Sequence, residues 1–236
     1  MESKTNIVLV HGAWADGSSW SKVIQLLQQR GLNVTAVQLP LTSLDDDIAV
    51  TRNALELQNG PTVLAGHSYG GLVITGAANQ APNVTALVYF AAFGLDEGES
   101  IDALSQQGPV TPGAAQIRPD KHGFLWIDPA GFPQVFAADV DPVEARVMAV
   151  TQKPLSIKSF TAKCGPPAWK HIPSWYMVSG NDQMIPPQAE EMMAKRMGAT
   201  VRTVSASHAA IVSRPQDAAD LITLATEARL TSRAAR

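Results

Sequence analysis

Cysteine is scarce in this chain: Cys164 stands alone. That excludes an internal disulfide framework and a cysteine-rich zinc site. An excess of one charge is also lacking. The 236 residues carry 18 Lys+Arg against 21 Asp+Glu, a formal net charge of −3. Nothing basic is left over to neutralise a phosphate backbone, so nucleic acid is not an expected partner. Long apolar runs are missing as well. The longest mainly apolar stretch, Val84 to Leu95, falls far below the ~20 residues a membrane span needs. The opening Met1-Glu2-Ser3-Lys4 leads into a short apolar run, Ile7 to Val10, too short for a signal-peptide core. A cytoplasmic protein with no membrane span is expected. There is no internal repeat or low-complexity tract, and the composition excludes disorder, collagen and coiled coil. No His/Asp/Glu cluster has metal-ligand spacing, and no cofactor is called for.

What is present is a chain long enough for one domain, or one domain carrying an insertion. Its 45% hydrophobic content could bury roughly 70% of the unfolded surface. Ile7 to Val10 reads as a buried strand, bounded by polar residues and Gly12. A helix follows, with Ser18 or Ser19 as its cap, Trp20, Val23, Ile24 and Leu27 on one face, and Gly31 as its stop. Val34 to Leu39 is the second strand. Ser43 followed by Asp46 resembles a capping box. Asp45, Asp46 and Asp47 suit a helix N-terminus, and the spacing reads as a capped, solvated helix start rather than a metal site. Pro61–Ala65 and Val84–Ala91 are the third and fourth strands, flanking a helix over Tyr69–Asn79. From Gly94 to about Pro167 the alternation breaks. It resumes with strand Ser174–Ser179, helix Pro187–Met197, strand Thr200–Val204 and helix Gln216–Arg229.

This order implies an α/β fold: a mostly parallel sheet of about six strands flanked by helices, with right-handed crossovers. The long stretch between the fourth and fifth strands is expected to be an inserted cap or lid. The expected division is a core of residues 1–93 and 168–236, and a cap of residues 94–167.

Gly66-His67-Ser68-Tyr69-Gly70-Gly71 sits where a strand ends and a helix begins. A G-x-S-x-G run in that context describes a strained turn that lifts a serine to the tip of the sheet. Side chains at 66 and 70 would collide with neighbouring backbone. A dinucleotide or Walker loop is disfavoured, because its glycine spacing and its lysine are missing. A serine hydroxyl needs a base, and the base needs an orienting carboxylate. His208 lies just past the sixth predicted strand, on the same sheet edge as Ser68. Asp182 lies just past the fifth strand, between serine and histidine in chain order. Asp96, just past the fourth, is its rival.

The order Ser68…Asp182…His208 is that of the α/β-hydrolases, and the chain resembles that superfamily over essentially its whole core. His11-Gly12-Ala13-Trp14 and the Asp182 to Pro186 run are similar to the branch holding plant methylesterases, hydroxynitrile lyases and small bacterial esterases. The resemblance implies an oxyanion hole built from the backbone N–H groups of Tyr69 and Ala13. It also implies what is absent. The lyases of this branch carry a threonine where Gly12 stands and a lysine where Ala209 stands, so hydrolysis is favoured over cyanohydrin cleavage. Relatives of this fold with an aspartate nucleophile are excluded by Ser68.

A serine carboxylesterase cleaving small carboxylic esters through an acyl-enzyme is therefore expected. The alternatives are a hydroxynitrile-lyase-like or other non-hydrolytic enzyme on the same site, and a catalytically weak small-ligand binding protein. A histidine base must be neutral to act, so activity should fall as pH drops through about 6–7. Phe124, Trp126, Phe132, Phe136, Phe160 and Trp169 are candidates for an apolar lid or for packing the cap onto the core. Met192, Met193 and Met197 read as core filler. The expected partner is a small-molecule ester. A homo-oligomer is compatible with the sequence.

Overall fold

The computed structural model describes residues 5–234. Met1-Glu2-Ser3-Lys4 and the last two residues of the expected 168–236 segment lie outside the described residues. Strand β1 (Asn6–Val10) is buried along its whole length. That burial on both faces is why it reads as an unbroken apolar run instead of an alternation. It pairs with β2 (Asn33–Ala36) on one side and β3 (Thr62–His67) on the other. Beyond β3 lies β4 (Val84–Phe90). Three short strands follow in the chain, β5 (Ile117–Pro119), β6 (Phe124–Ile127) and β7 (Leu155–Ser156), and then β8 (Ser174–Ser179) and β9 (Thr200–Val204) complete the main sheet. Its order is β2-β1-β3-β4-β8-β9, and every adjacent pair is parallel.

The helices are α1 (Ser21–Gln29), α2 (Leu44–Glu56), α3 (Tyr69–Ala77), α4 (Ile101–Ser105), α5 (Phe132–Phe136), α6 (Pro142–Thr151), α7 (Ile157–Thr161), α8 (Pro187–Arg196), α9 (Ala210–Ser213) and α10 (Pro215–Ala234). From β1 the chain steps outward to β2, then back past β1 to β3. Right-handed crossovers in opposite directions place their helices on opposite faces. A crevice therefore opens at the carboxyl ends of β1 and β3, where the direction reverses. Register puts Val10 beside Gly66 and His67 beside Phe90, so these strand ends share one edge.

Two local expectations are corrected. The cap of the first helix is Asp16, not Ser18 or Ser19. Its carboxylate accepts the Ser18 N–H at 2.7 Å, and the Ser19 hydroxyl turns back to the Asp16 carbonyl. A short 3-10 turn over Gly17–Trp20 then leads into α1. β2 stops at Ala36 instead of Leu39, because the Leu39 N–H is captured by the His11 ring at 2.9 Å and the chain leaves the sheet. The Ser43 cap is as expected, accepting from the Asp46 N–H at 3.1 Å.

The insertion between β4 and β8 carries a small antiparallel sheet, β5-β6-β7, and the short helices α4 to α7. Among the described residues no helix is long and apolar enough to cross a membrane.

Candidate active site

Ser68 bridges β3 and α3 with φ +53° and ψ −122°, a backbone state that costs a serine about 1–3 kcal/mol. The surroundings hold it there. Its N–H donates to the Phe90 carbonyl at 3.1 Å, and its carbonyl accepts from the Gly71 and Phe93 N–H groups. Neither flanking glycine has room for a side chain. A Cβ at Gly66 would lie 2.5 Å from the Gly70 carbonyl oxygen, and one at Gly70 would lie 2.6 Å from that of Val10.

Past β9, His208 turns back toward the serine, with its Nε2 2.9 Å from Ser68 Oγ. Past β8, Asp182 meets the other ring nitrogen, with Oδ2 2.6 Å from Nδ1. Both the imidazole and the carboxylate are buried. The second Asp182 oxygen accepts the Met184 and Ile185 N–H groups at 2.6 and 3.0 Å. That pins the carboxylate, so Nδ1 carries the proton and donates it to Oδ2, leaving Nε2 as the acceptor facing the hydroxyl. The Phe136 ring stands edge-on to His208 at 4.8 Å between centroids.

Two further histidines support the edge without facing the cavity. His67 Nε2 donates to the His208 carbonyl at 2.8 Å. Burial, together with the nearby His208, holds His67 down at about 3. His11 Nδ1 donates to the Gly12 carbonyl and its Nε2 accepts from Leu39. Burial lowers His11 to about 4. Both rings are therefore neutral at pH 7, with opposite tautomers fixed by their partners. His122 and His171 are exposed and elsewhere. Asp96 is paired with Lys170 at 2.6 Å and takes no part in the cluster.

The serine and histidine line a cavity of about 460 Å³. Its walls are apolar: Trp14, Phe93, Ile101, Leu104, Phe160 and Met192 are among them, and no Asp, Glu, Lys or Arg among the described residues lines it. Ala13 and Tyr69 line it beside Ser68. Gly12 lies tight against the serine, since a Cβ there would sit 2.8 Å from Ser68 Cβ. Of the expected lid aromatics only Phe160 reaches the cavity. Phe132 and Phe136 are fully buried, and Trp126 lies out on the surface, bonded to Asp120. Met193 and Met197 are buried as filler, but Met192 is 42% exposed and lines the cavity. No group of three or more His, Cys, Asp or Glu among the described residues could hold a metal ion.

A family model described as "Alpha/beta hydrolase family" matches residues 7–221. The chain belongs to the alpha/beta hydrolase family. Within that family it is 26% identical to a pyrethroid hydrolase of Sphingobium wenxiniae, over 92% of this chain and 86% of that protein. A carbendazim hydrolyzing esterase of a Nocardioides species is 35% identical over a shorter stretch, 42% of this chain and 46% of that one. The chain thus spans about half the length of that second relative. The crystal structure of a pyrethroid hydrolase from Sphingobium faniae superposes with a TM-score of 0.81 at 25% identity, covering 94% of this chain and 96% of that chain. Arabidopsis thaliana methylesterases and an α-hydroxynitrile lyase are also relatives, which sets this hydrolase beside the plant methylesterase branch.

Two buried carboxylates near the site escape a reading of the sequence. Asp47 is not solvated with its neighbours Asp45 and Asp46. It is fully buried and accepts the Tyr69 hydroxyl at 2.5 Å. Glu190 is also fully buried, accepts the Ser179 N–H at 3.1 Å and faces Asp182. Burial, with the nearby Asp182 charge, raises Glu190 well above the usual carboxylate range. The signal was periodicity. Asp47 shares a helix face with Leu44, Thr51 and Leu55, and Glu190 shares one with Met193 and Ala194.

Proposed function

We propose that this alpha/beta hydrolase is a serine carboxylesterase acting on neutral esters with a bulky apolar acyl or alcohol part. One observation carries the reading: Ser68, His208 and Asp182 form an unbroken hydrogen-bonded chain of 2.9 and 2.6 Å, and its serine and histidine line a mainly apolar cavity with no charged lining residue among the described residues. His208 Nε2 takes the hydroxyl proton as Ser68 Oγ attacks the ester carbonyl carbon. The carbonyl oxygen becomes an alkoxide, stabilised by the N–H groups of Tyr69 and Ala13. Tyr69 is the first residue of α3, so its N–H has no acceptor within the helix, and the helix dipole favours negative charge there. When the tetrahedral centre collapses, the C–O bond to the alcohol breaks and His208 returns the proton to the leaving oxygen. Water, deprotonated by the same nitrogen, then attacks the acyl-serine, and the acid leaves as Ser68 recovers its proton.

The apolar walls support the substrate class, since an ionised acid or amine would lose its hydration there without a partner. The names of two relatives, a carbendazim hydrolyzing esterase and a pyrethroid hydrolase, support ester hydrolysis. Residues 94–167 act as the lid, because α4, α7 and the segment between α4 and β5 form much of the wall. Cyanohydrin cleavage is disfavoured by Gly12, where a threonine would press on Ser68, and by Ala209 in place of a lysine.

A panel of aryl and alkyl esters of varied acyl and alcohol parts, run on wild type and Ser68→Ala, tests the reading. Turnover should rise with apolar size and fail for charged acids, and Ser68→Ala should lower kcat by at least about 10⁴-fold while the fold is kept. Cleavage of mandelonitrile without ester turnover would contradict it. So would tight ligand binding, unaffected by Ser68→Ala, with no product formed.

A further inference from the structure

Asp47 is buried on a helix face that it shares with Leu44, Thr51 and Leu55. It lies on the inner face of α2 with 0% of its surface exposed. Burial raises its carboxyl to about 6, so ionising it has a cost that a leucine or asparagine would not incur. Each of its oxygens has one partner. Oδ2 accepts the Tyr69 hydroxyl at 2.5 Å, and Oδ1 accepts the Leu41 N–H at 2.8 Å. Both partners adjoin strained backbone. Tyr69 directly follows Ser68 at φ +53°, and Leu41 itself has φ +61°. Strained residues of this kind persist only where the surroundings over-determine them.

The Leu41 side of the tie leads back to the site. Two residues earlier, the Leu39 N–H donates to His11 Nε2 at 2.9 Å, and His11 Nδ1 donates to the Gly12 carbonyl at 2.8 Å. Gly12 immediately precedes Ala13. The Leu39 carbonyl accepts from Lys153 Nζ, and the Lys153 carbonyl accepts the Trp14 N–H at 3.0 Å, just after Ala13. The Leu41 carbonyl accepts the Ser156 N–H at 2.9 Å, joining the same loop to the insertion. From one carboxylate, then, one oxygen reaches Tyr69 in a single step, and the other reaches both neighbours of Ala13 through the 39–41 loop.

We propose that Asp47 is a positioning residue which holds the two oxyanion donors, the N–H groups of Tyr69 and Ala13, in register across the cavity floor. The inference rests on the serine-esterase reading above. Asp47 touches no substrate. It acts through the Tyr69 side chain and the 39–41 loop, and so serves the alkoxide, which exists only after attack. Interactions made only in the transition state change kcat and leave ground-state binding alone.

The test uses Asp47→Asn, Tyr69→Phe and the double variant at pH 8. Four quantities are measured on each: kcat and KM for a short aryl ester, affinity for an aryl boronic acid that bonds to the serine as a tetrahedral adduct, affinity for an aryl ketone of the same shape, and thermal midpoint. Each single variant should lower kcat about 10- to 100-fold, less than outright loss of a donor. KM and ketone affinity should stay within about twofold, and the boronic acid should weaken by the same factor as kcat. The double variant should be no slower than the worse single, because both remove the same charge-assisted hydrogen bond from the Tyr69 hydroxyl to the Asp47 carboxylate. Wild-type kcat and boronic acid affinity in Tyr69→Phe and Asp47→Asn would overturn the proposal. So would matching losses in KM and ketone affinity, or a fall in kcat that only tracks the thermal midpoint, which mark a structural role. Ser68→Ala separates the two layers. If it abolishes turnover while Tyr69→Phe and Asp47→Asn behave as wild type, only the positioning role falls; if it leaves turnover intact, the serine reading falls and takes this one with it.

Discussion

Asp182 and Asp96 each follow a parallel strand, and their surroundings tell them apart. Asp182 Oδ1 is held by the Met184 and Ile185 N–H groups, so only Oδ2 is left for His208. In Asp182→Asn the amide oxygen must stay on those two donors, which turns the NH₂ toward Nδ1. His208 would then hold its proton on Nε2, facing Ser68, and could not accept the hydroxyl proton. A loss of about 10³- to 10⁴-fold in kcat is expected, with the fold retained. Asp96 lies on the surface with Lys170, and Asp96→Asn should stay within about twofold of wild type. Ester kinetics on the two variants check this, and equal losses would contradict it. Ser68, Asp182 and His208 were legible in the sequence because strand ends of a parallel sheet converge. Asp47 and Glu190 were not, since an acid beside a helix start, or among polar neighbours, reads as solvated. Only the apolar stripe each shares reveals the burial. Met192 misled in the opposite sense: its periodicity suits a core, but it stands at the cavity wall.

At the scale of elements, the six core strands and the helices between them could be read closely, because each is long enough to show a period or a continuous apolar run. β8 and β9 match the expected spans residue for residue. The end of β2 could not be read, because it is decided by a side chain 28 positions away, His11, that takes the Leu39 N–H. Within the insertion, α4, α5 and α7 have five residues each, and β7 has two. Elements this short carry no period and are held by what they pack against. Phe136 shows the consequence. Its place in the insertion left lid and packing roles both open, and it is a buried prop edge-on to His208.

For the molecule as a whole, buried groups of opposite kind set the response to acid. His11 and His67 are held near 4 and 3, below the ordinary histidine range, so the unfolded chain binds protons there that the folded one does not. Their stabilisation is complete above about pH 6.5 and is lost as pH falls. Asp47, raised to about 6, and Glu190, raised well above its usual range, act the other way, since the folded state binds protons that the unfolded one releases. Between about pH 6 and 4.5 the two pairs oppose each other. Asp47→Asn removes one opposing proton, only half bound at pH 6, so the variant should lose about 1 kcal/mol more stability per pH unit than wild type over that window. Urea midpoints at pH 6.0 and 4.5 read the difference, and parallel curves would contradict it. The central claim is chemical, and one measurement reaches it most directly: intact-mass and peptide mass spectrometry after exposure to an aryl fluorophosphonate. The account predicts one adduct per chain, located on Ser68, formed in step with loss of esterase activity and absent from Ser68→Ala. Full loss of activity with Ser68 unmodified, or full modification of Ser68 with activity intact, would contradict it.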